Sequence, residues 1–145
     1  MAITTNAICN TFKKELLEAT HNFKNPGGNT FKLAMYTNSA TLGKSTTSFT
    51  TGNEVTSPAG YSSGGKALVN VGTSVASDTA ITDFADLSFT GVTLTARGAL
   101  IYNDTATGDP AVAVLDFGGD KTATAGTFTI QFPAFTTSAA ILRIA

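Results

Sequence analysis

The sequence predicts a mainly β fold: an antiparallel β-sandwich, or a barrel-like variant, with one N-terminal amphipathic α-helix and a long Ser/Thr/Gly-rich loop. Only 13% of the 145 residues are charged, and 26 are threonine, a residue that suits the exposed face of a strand. From residue 30 onward, short segments with a period of two follow one another without a helical pattern between them. A chain of this length is expected to fold as a single domain over residues 1–145.

One helical pattern is present, over residues 5–23. Its apolar residues lie at intervals of four, four, three and four: Ile8, Phe12, Leu16, Ala19 and Phe23. This spacing would place all of them on one face of a helix. Thr4 or Thr5 can cap the start, and Pro26 with the two glycines after it prevents continuation. We expect the apolar face to pack on the sheet of the same domain; a face reserved for another subunit is the alternative.

Six further segments, β-branched or aromatic and bounded by turn residues, are predicted as strands. They lie around residues 30–36, 68–71, 92–102, 111–117, 126–132 and 139–144. Asn103–Pro110 is predicted as a hairpin-type connector, and Phe117–Asp120 as a tight turn that ends a strand.

Residues 37–63 are predicted as the long loop, because Thr, Ser, Gly and Asn dominate them. Four larger side chains can anchor this loop: Leu42, Phe49, Val55 and Tyr61. A connection of more than about 20 residues is uncommon in a compact domain. The loop is therefore expected to be functional, or partly disordered when the protein is alone.

Gly60–Lys66 (GYSSGGK) partly matches the phosphate-binding loop of nucleotide-binding proteins. That loop needs Ser or Thr after the lysine to hold magnesium, but the next residue here is Ala67. It also leads into a helix whose N-terminus faces the phosphates, whereas Ala67 opens a strand-like run. The sequence therefore predicts no nucleotide site, and we interpret Gly64–Gly65 as a turn or bulge that admits a strand.

No residue is predicted as catalytic, cofactor-binding or metal-ligating. His21 is the single histidine and has no Asp nearby in sequence, so a surface or capping role is expected for it. Asp116–Gly118 spells the metal-binding motif of kinases, but the other kinase motifs are missing. A calcium loop places three or more oxygen ligands in one turn, whereas the carboxylates here come in pairs that we interpret as solvated turns. These pairs are Asp83 and Asp86, Asp104 and Asp109, and Asp116 and Asp120.

The charge pattern limits the classes of partner. A net charge of −1, with no block of like charges, argues against nucleic acid. No segment is apolar enough for a membrane span and the N-terminus lacks a signal-peptide pattern, so a cytosol-like compartment is expected.

Cys9, the only cysteine, is expected to act as a small hydrophobic residue. Residues 1–44 hold five Lys and two Glu, and residues 45–145 hold four cations and eight carboxylates. Scattered surface charge explains this; head-to-tail complementarity between copies is the alternative.

Five segments, in this order, resemble a family of small virion proteins of tailed bacteriophages, including cyanophage-like and other marine phages. They cover nearly the whole chain: MAITTNAICNTFKKELLEATHNF, FKLAMYTNSATLG, TTGNEVTSPAGYSSGGKAL, FADLSFTGVTLTARGALIYN and AVAVLDFGGDKTATAGTFTIQFP. The stretches TARGALIYN and AVAVLDFGGDKT are the most specific parts of the resemblance.

The resemblance implies a structural protein of the virion, assembled in the cytoplasm of the infected bacterium. The implied role is that of a capsid cement or decoration protein, a homo-oligomer such as a trimer that binds across major capsid subunits. A particle component works by burying surface, so no cofactor and no small-molecule substrate are implied, and no enzyme activity. In this hypothesis the loop straps the shell, and the N-terminal segment contributes second. The contact residues are then Leu42, Phe49, Val55 and Tyr61.

Other roles stay open at this point. The first alternative is a tail-associated protein, such as an adaptor, a tube-associated ring or a fibre-attachment piece. The second is a carbohydrate-binding β-sandwich for host attachment, which would need clustered exposed aromatic residues. The chain has no Trp and only three Tyr, which offers little for sugar stacking. An enzyme is the weakest alternative.

Overall fold

The computed structural model describes residues 3–56 and 60–145. The fold is mainly β, with antiparallel strand pairs and one short helix. In chain order the elements are β1 (Ala7–Ile8), α1 (Asn10–Leu17), β2 (Phe31–Tyr36), β3 (Lys66–Ala67), β4 (Asn70–Ala76), β5 (Thr79–Phe84), β6 (Leu87–Asn103), β7 (Ala111–Ile130) and β8 (Leu142–Ile144).

The strands form two sheets. The larger sheet has the order β1-β7-β6-β2-β3, and the smaller has the order β4-β5-β8. Neither sheet closes on itself in the described part of the chain, so the barrel-like variant of the sequence prediction is wrong. The longest pairing joins β6 and β7, which reach 17 and 20 residues. The predicted connector Asn103–Pro110 links them, and the resulting hairpin carries β2 on one flank and β1 on the other.

β7 continues through the segment that was predicted to end it. Gly98 of β6 pairs with Asp116, and Ala96 pairs with Lys121, so residues 117–120 of β7 lie opposite Arg97 alone. Gly118 has a φ of 79°, and its N–H donates to Asp116 Oδ1 at 2.8 Å. Arg97 also forms an ion pair with Asp116. The turn chemistry of Phe117–Asp120 is therefore real, but it makes a bulge: the predicted strands at 111–117 and 126–132 are two parts of β7.

The helix is shorter than the predicted 5–23. It begins at Asn10, because Ala7 and Ile8 pair with β7 as a short edge strand and the Cys9 N–H donates to Val112 O at 3.0 Å. The predicted cap at Thr4 or Thr5 is thus wrong, since both threonines precede β1. Past Leu17 the chain leaves the helix, and Ala19 takes a left-handed φ of 59°.

The apolar face of α1 packs on its own domain, as expected. Phe12 is buried and Leu16 packs against the core. Phe23, predicted as the last residue of that face, is also buried, but it reaches the core from the segment after the helix. Cys9 is buried beside α1, and burial raises the pKa of its thiol to about 11, so it behaves as a small hydrophobic residue.

β5 was not among the predicted strands. It lies between β4 and β8 in the smaller sheet. Residues 81–84 are all buried, including Thr82 and Asp83. A strand that is covered on both faces has no alternation of polar and apolar residues, so the period-two signal is absent there.

A cluster of aromatic rings joins the two sheets. Phe23 stacks on Phe31 of β2 with ring centroids 4.3 Å apart and an interplanar angle of 2°. Phe84 of β5 lies 5.8 Å from the Phe31 ring and 5.6 Å from the Phe132 ring. Tilted and offset contacts of this kind add to the free energy gained by apolar burial. The core therefore includes residues of both sheets and of the segment after α1.

β3 can approach β2 because residue 65 is glycine. Lys66 pairs with Leu33, and the backbone just before this pair passes directly over the Leu33 carbonyl. A Cβ at Gly65 would lie 1.8 Å from Leu33 O, and the φ of Gly65 is 78°. The interpretation of Gly64–Gly65 as a turn that admits a strand is confirmed.

We predict that Gly65→Ala lowers the free energy of unfolding by about 3 kcal/mol, because both the clash and the left-handed φ oppose a side chain. Urea denaturation followed by circular dichroism measures this. The matched control is Gly119→Ala in the β7 bulge, where a Cβ would meet nothing within 4 Å. We expect the control to change stability by less than about 0.5 kcal/mol. Equal losses of stability in the two variants would show that the close approach of the backbone to Leu33 at Gly65 does not cause the effect.

Candidate functional site

The four predicted contact residues all pack towards the chain's own core. Leu42 and Phe49 are half-buried, whereas Val55 and Tyr61 are only 6% and 4% exposed. The Phe49 ring stacks on Tyr102 of β6 with centroids 4.6 Å apart. The side chains of Val55 and Tyr61 therefore fasten the loop to its own domain. For all four residues a partner contact stays a prediction.

A buried carboxylate holds the end of the loop. Glu54 Oε2 accepts hydrogen bonds from the Tyr61 hydroxyl and from the Gly64 N–H, both at 2.7 Å. Glu54 Oε1 accepts a third from the Ser63 hydroxyl at 2.8 Å. We call these four residues the Glu54 latch. Burial, with Glu54 beside it, raises the pKa of Tyr61 above its usual range, so its hydroxyl stays a donor.

The Glu54 latch explains the phosphate-loop-like sequence. The Gly64 N–H, which a phosphate loop would point at its ligand, points at Glu54. Lys66 Nζ donates to the Ser88 carbonyl at 2.6 Å. Glu54 was not among the predicted site residues, although one signal in the sequence marks it: Glu54 is the only charged residue between Lys44 and Lys66. A lone carboxylate in a long neutral loop is a candidate for an internal hydrogen-bond acceptor.

Backbone hydrogen bonds hold the rest of the described loop. The Val55 N–H donates to Met35 O at 2.9 Å, and the Ala111 N–H donates to Thr47 O at 3.0 Å. The hydroxyl of Tyr36 donates to Thr50 O at 2.7 Å. The loop is thus tied to β2, to the start of β7 and, through Phe49, to β6. Its exposed residues occupy defined positions on the surface.

The loop and the N-terminal segment enclose a groove of about 800 Å³, which we call the loop groove. Hydroxyl-bearing residues dominate its lining, which comprises Thr4, Thr5, Asn6, Ala7, Thr41, Leu42, Gly43, Lys44, Ser45, Thr46, Thr47, Ser48 and Thr50. Lys44 is the one charged residue of this lining, it is exposed, and no described carboxylate pairs with it. The loop groove therefore suits an extended protein segment that offers backbone hydrogen bonds and a carboxylate.

His21 is buried, so the expected surface or capping role is wrong. Its side chain is 0% exposed and its ring centroid lies 4.8 Å from that of Phe12. Asn103 Oδ1 accepts from the N–H groups of Thr105 and Ala106, so Asn103 Nδ2 faces His21 Nδ1 at 3.1 Å. Nδ1 is therefore the acceptor, and Nε2 donates to Glu15 Oε1 at 3.0 Å. This chain of hydrogen bonds fixes the segment after α1 against the β6–β7 connector.

Asp83 is the one buried carboxylate with an unpartnered oxygen among the described residues. It is 1% exposed, and Oδ1 accepts from the Phe84 N–H at 2.9 Å. Oδ2 has no partner of normal hydrogen-bond geometry, although the backbone of Ile141 opposes part of the effect of burial on the pKa. Burial raises the pKa of Asp83 above its ordinary value of 3.8, with Asp86 adding to the shift. The interpretation of Asp83 as part of a solvated turn is thus wrong, because it lies within β5.

We predict that Glu54→Ala lowers the free energy of unfolding by about 3 kcal/mol, because it leaves the Tyr61, Ser63 and Gly64 donors without their acceptor. The matched control is Glu54→Gln. Its amide oxygen can still accept from Tyr61 and Gly64, so we expect a smaller loss. Chemical denaturation measures both variants. Equal stability of the alanine variant and the wild type would contradict the proposed role of the Glu54 latch.

We predict that Asp83→Asn removes a pH-dependent loss of stability. Below pH 3.8 the Asp83 carboxyl is protonated in both the folded and the unfolded protein. As the pH rises, the carboxyl ionises first in the unfolded protein, because its pKa is lower there. The free energy of unfolding therefore falls until the pH passes the raised pKa of the folded protein. The variant has no such group, so its stability relative to the wild type should increase with pH over this window and then level off. Urea denaturation from about pH 4 to 7 tests it. A difference that stays constant across this range would contradict the prediction.

No group of three or more His, Cys, Asp or Glu residues that could hold a metal ion is found within residues 3–56 and 60–145. The one helix of the described chain is too short and too polar to cross a membrane. Comparison with models of protein families, with curated proteins and with solved structures gives no match to this chain.

Proposed function

We propose that the chain is a structural protein of a tailed-phage virion, a capsid cement or decoration protein that binds across major capsid subunits. The sequence resemblance to small virion proteins supports this proposal. The observation that carries it is the loop groove, because the loop and the N-terminal segment, which the sequence hypothesis assigned to the shell contact, line one concave surface. The protein would join the particle in the cytoplasm of the infected bacterium.

The loop groove supports a docking role because its walls are held in place before a partner binds. The Glu54 latch fixes one end of the loop, and Phe49 on Tyr102 fixes the middle. A surface that is already ordered loses little conformational entropy on binding, which favours affinity. In this proposal the contact surface is a preformed rim of hydroxyl groups around the half-buried side chain of Leu42.

The charge of the loop groove indicates the chemistry of the shell segment. Lys44 is unpaired in the described chain, and the lining contains no carboxylate. The matching surface on the capsid subunit would be an extended segment with an acidic residue opposite Lys44. Such a pair sets orientation and specificity more than affinity.

We also propose that the two sheets face each other as a β-sandwich. The contacts between Phe31 of the larger sheet and Phe84 of the smaller sheet support this arrangement, since side chains of facing sheets interdigitate in a sandwich. A cement protein benefits from such a rigid body, because its two ends must bridge subunits at a fixed distance.

We predict that Lys44→Glu weakens binding to particles of the encoding phage that lack this chain, by at least about tenfold in Kd, because the charge opposite the acidic shell segment is reversed. Co-sedimentation with such particles measures the change. Lys24→Glu is the matched control: Lys24 is also exposed, has no ion pair in the described chain, and does not line the loop groove.

Equal binding of the two variants would contradict the loop groove as the contact. Quantitative mass spectrometry of purified virions tests the location itself. A copy number close to that of the major capsid protein is expected for a cement protein. A few copies per particle would favour the tail-associated alternative, and absence from virions would refute both.

A further inference from the structure

A second groove, of about 790 Å³, runs along the edge of β7; we call it the edge groove. Consecutive residues of β7 line it, over 113–117 and 127–130. On the face of a sheet only alternate residues would do so, so this groove follows the strand's edge. β1 pairs only with Ala113 and Val114, and no other described strand pairs with that side of β7. The Asp116 N–H already donates to Asn6 Oδ1 at 2.6 Å, so the open part of the edge lies beyond this residue.

The edge groove is apolar and carries two unbalanced cations. Leu115, Phe117 and Ile141 are half-buried in its lining. Lys121 and Arg143 also line it, are exposed, and have no ion-pair partner in the described chain. Its one carboxylate, Asp116, is already paired with Arg97. An occupant should therefore supply apolar side chains and a carboxylate.

The far end of the β4–β5 hairpin has these properties. Residues 73–78 are all exposed, and we call residues 73–80 the arm. Asp78 lies in the turn of the arm, is exposed, and has no ion-pair partner in the described chain. Val75 pairs with Ala80, and Ala80 pairs with Ile144, so these three form an apolar row across the smaller sheet. Val75 and Ile144 are 69% and 60% exposed.

The arm and the edge groove also complement each other in their backbones. β4 is the outer strand of the smaller sheet, so one of its edges is open among the described strands. An open edge presents a row of N–H and C=O groups that can pair with another strand. β7 presents such groups over residues 127–130 of the edge groove, where no described strand pairs with that side. Two open edges from two copies can therefore join as antiparallel neighbours.

We propose that the chain forms a twofold dimer in which the arm of each copy enters the edge groove of the other. β4 of one copy then lies along β7 of its partner, the apolar row covers the apolar lining, and Asp78 faces Lys121 and Arg143. The occupant is a second copy, since the arm supplies the apolar side chains, the carboxylate and the open strand edge that complement the edge groove. This inference does not depend on a role in virions and does not use the loop.

β8 links the two surfaces of the proposed dimer contact. Arg143 of β8 lines the edge groove, and the next residue, Ile144, belongs to the apolar row beside the arm. Side chains of successive strand residues point to opposite faces, so the two surfaces adjoin at β8 but face opposite ways. In the proposed dimer the twofold axis brings the partner's arm to the first copy's groove, so both contacts form together. This is the geometry of an isologous, closed assembly.

Charge reversal tests the contact in solution. Asp78→Lys places a cation against Lys121 and Arg143, and Lys121→Glu places a carboxylate against Asp78. Each variant alone should raise the dimer Kd by at least about tenfold in sedimentation equilibrium. An equimolar mixture of the two should regain dimers, because in the mixed pair both arms meet a groove residue of opposite charge. The control Lys24→Glu should dimerise like the wild type.

A steric pair of variants tests the edge groove without changing Asp78 or Lys121. Thr127 and Thr124 are both exposed on β7, but only Thr127 lines the edge groove. Thr127→Arg should therefore abolish dimers while Thr124→Arg keeps them. The proposal is overturned if the wild type is monomeric at its solubility limit, if it sediments as a trimer, if the mixed variants stay monomeric, or if the two arginine variants behave alike.

Discussion

The antiparallel pairing of β6 with β7 is the constraint on which the rest of the molecule depends. Both strands are far longer than the usual five or six residues, so the hairpin extends beyond the elements that flank it. β2 covers part of one side and β1 covers only two residues of the other. The open remainder of β7 provides the edge groove. The connector of the same hairpin, through Asn103, holds His21 and with it the segment after α1.

Buried polar groups, more than regular structure, position the segments that carry the candidate sites. Glu54 gathers three donors from residues 61–64, and Asn103 gathers two backbone N–H groups while it orients His21. A buried acceptor that meets several fixed donors has one favourable arrangement, so these loops adopt one geometry. Asp83 departs from this rule with its unpartnered oxygen, and it lies in β5, the central strand of the smaller sheet.

We propose a different kind of contact for each of the two grooves. The loop groove is lined by hydroxyl groups and one lysine, which suits a polar, oriented contact with a shell subunit. The edge groove has open backbone and apolar walls, which suits self-association. A dimer with two loop grooves would hold two shell segments at once, and the second binding event would then be intramolecular. Bridging of capsid subunits would follow from this geometry.

The sequence by itself determined the β class, the antiparallel connector at Asn103–Pro110, the β2 strand and the turn at Gly64–Gly65. Each of these rests on a local cause: a period of two, turn residues, or a glycine where only glycine fits. The extent of α1, the continuation of β7 through Phe117–Asp120 and the burial of His21 and Tyr61 were decided by tertiary structure. In each case the deciding partner is distant in sequence: β7 for the residues before α1, Arg97 for the bulge, Asn103 for His21 and Met35 for Tyr61. Local sequence patterns carry no information about such partners, because these contacts form, and stabilise the protein, only after the sheets have assembled.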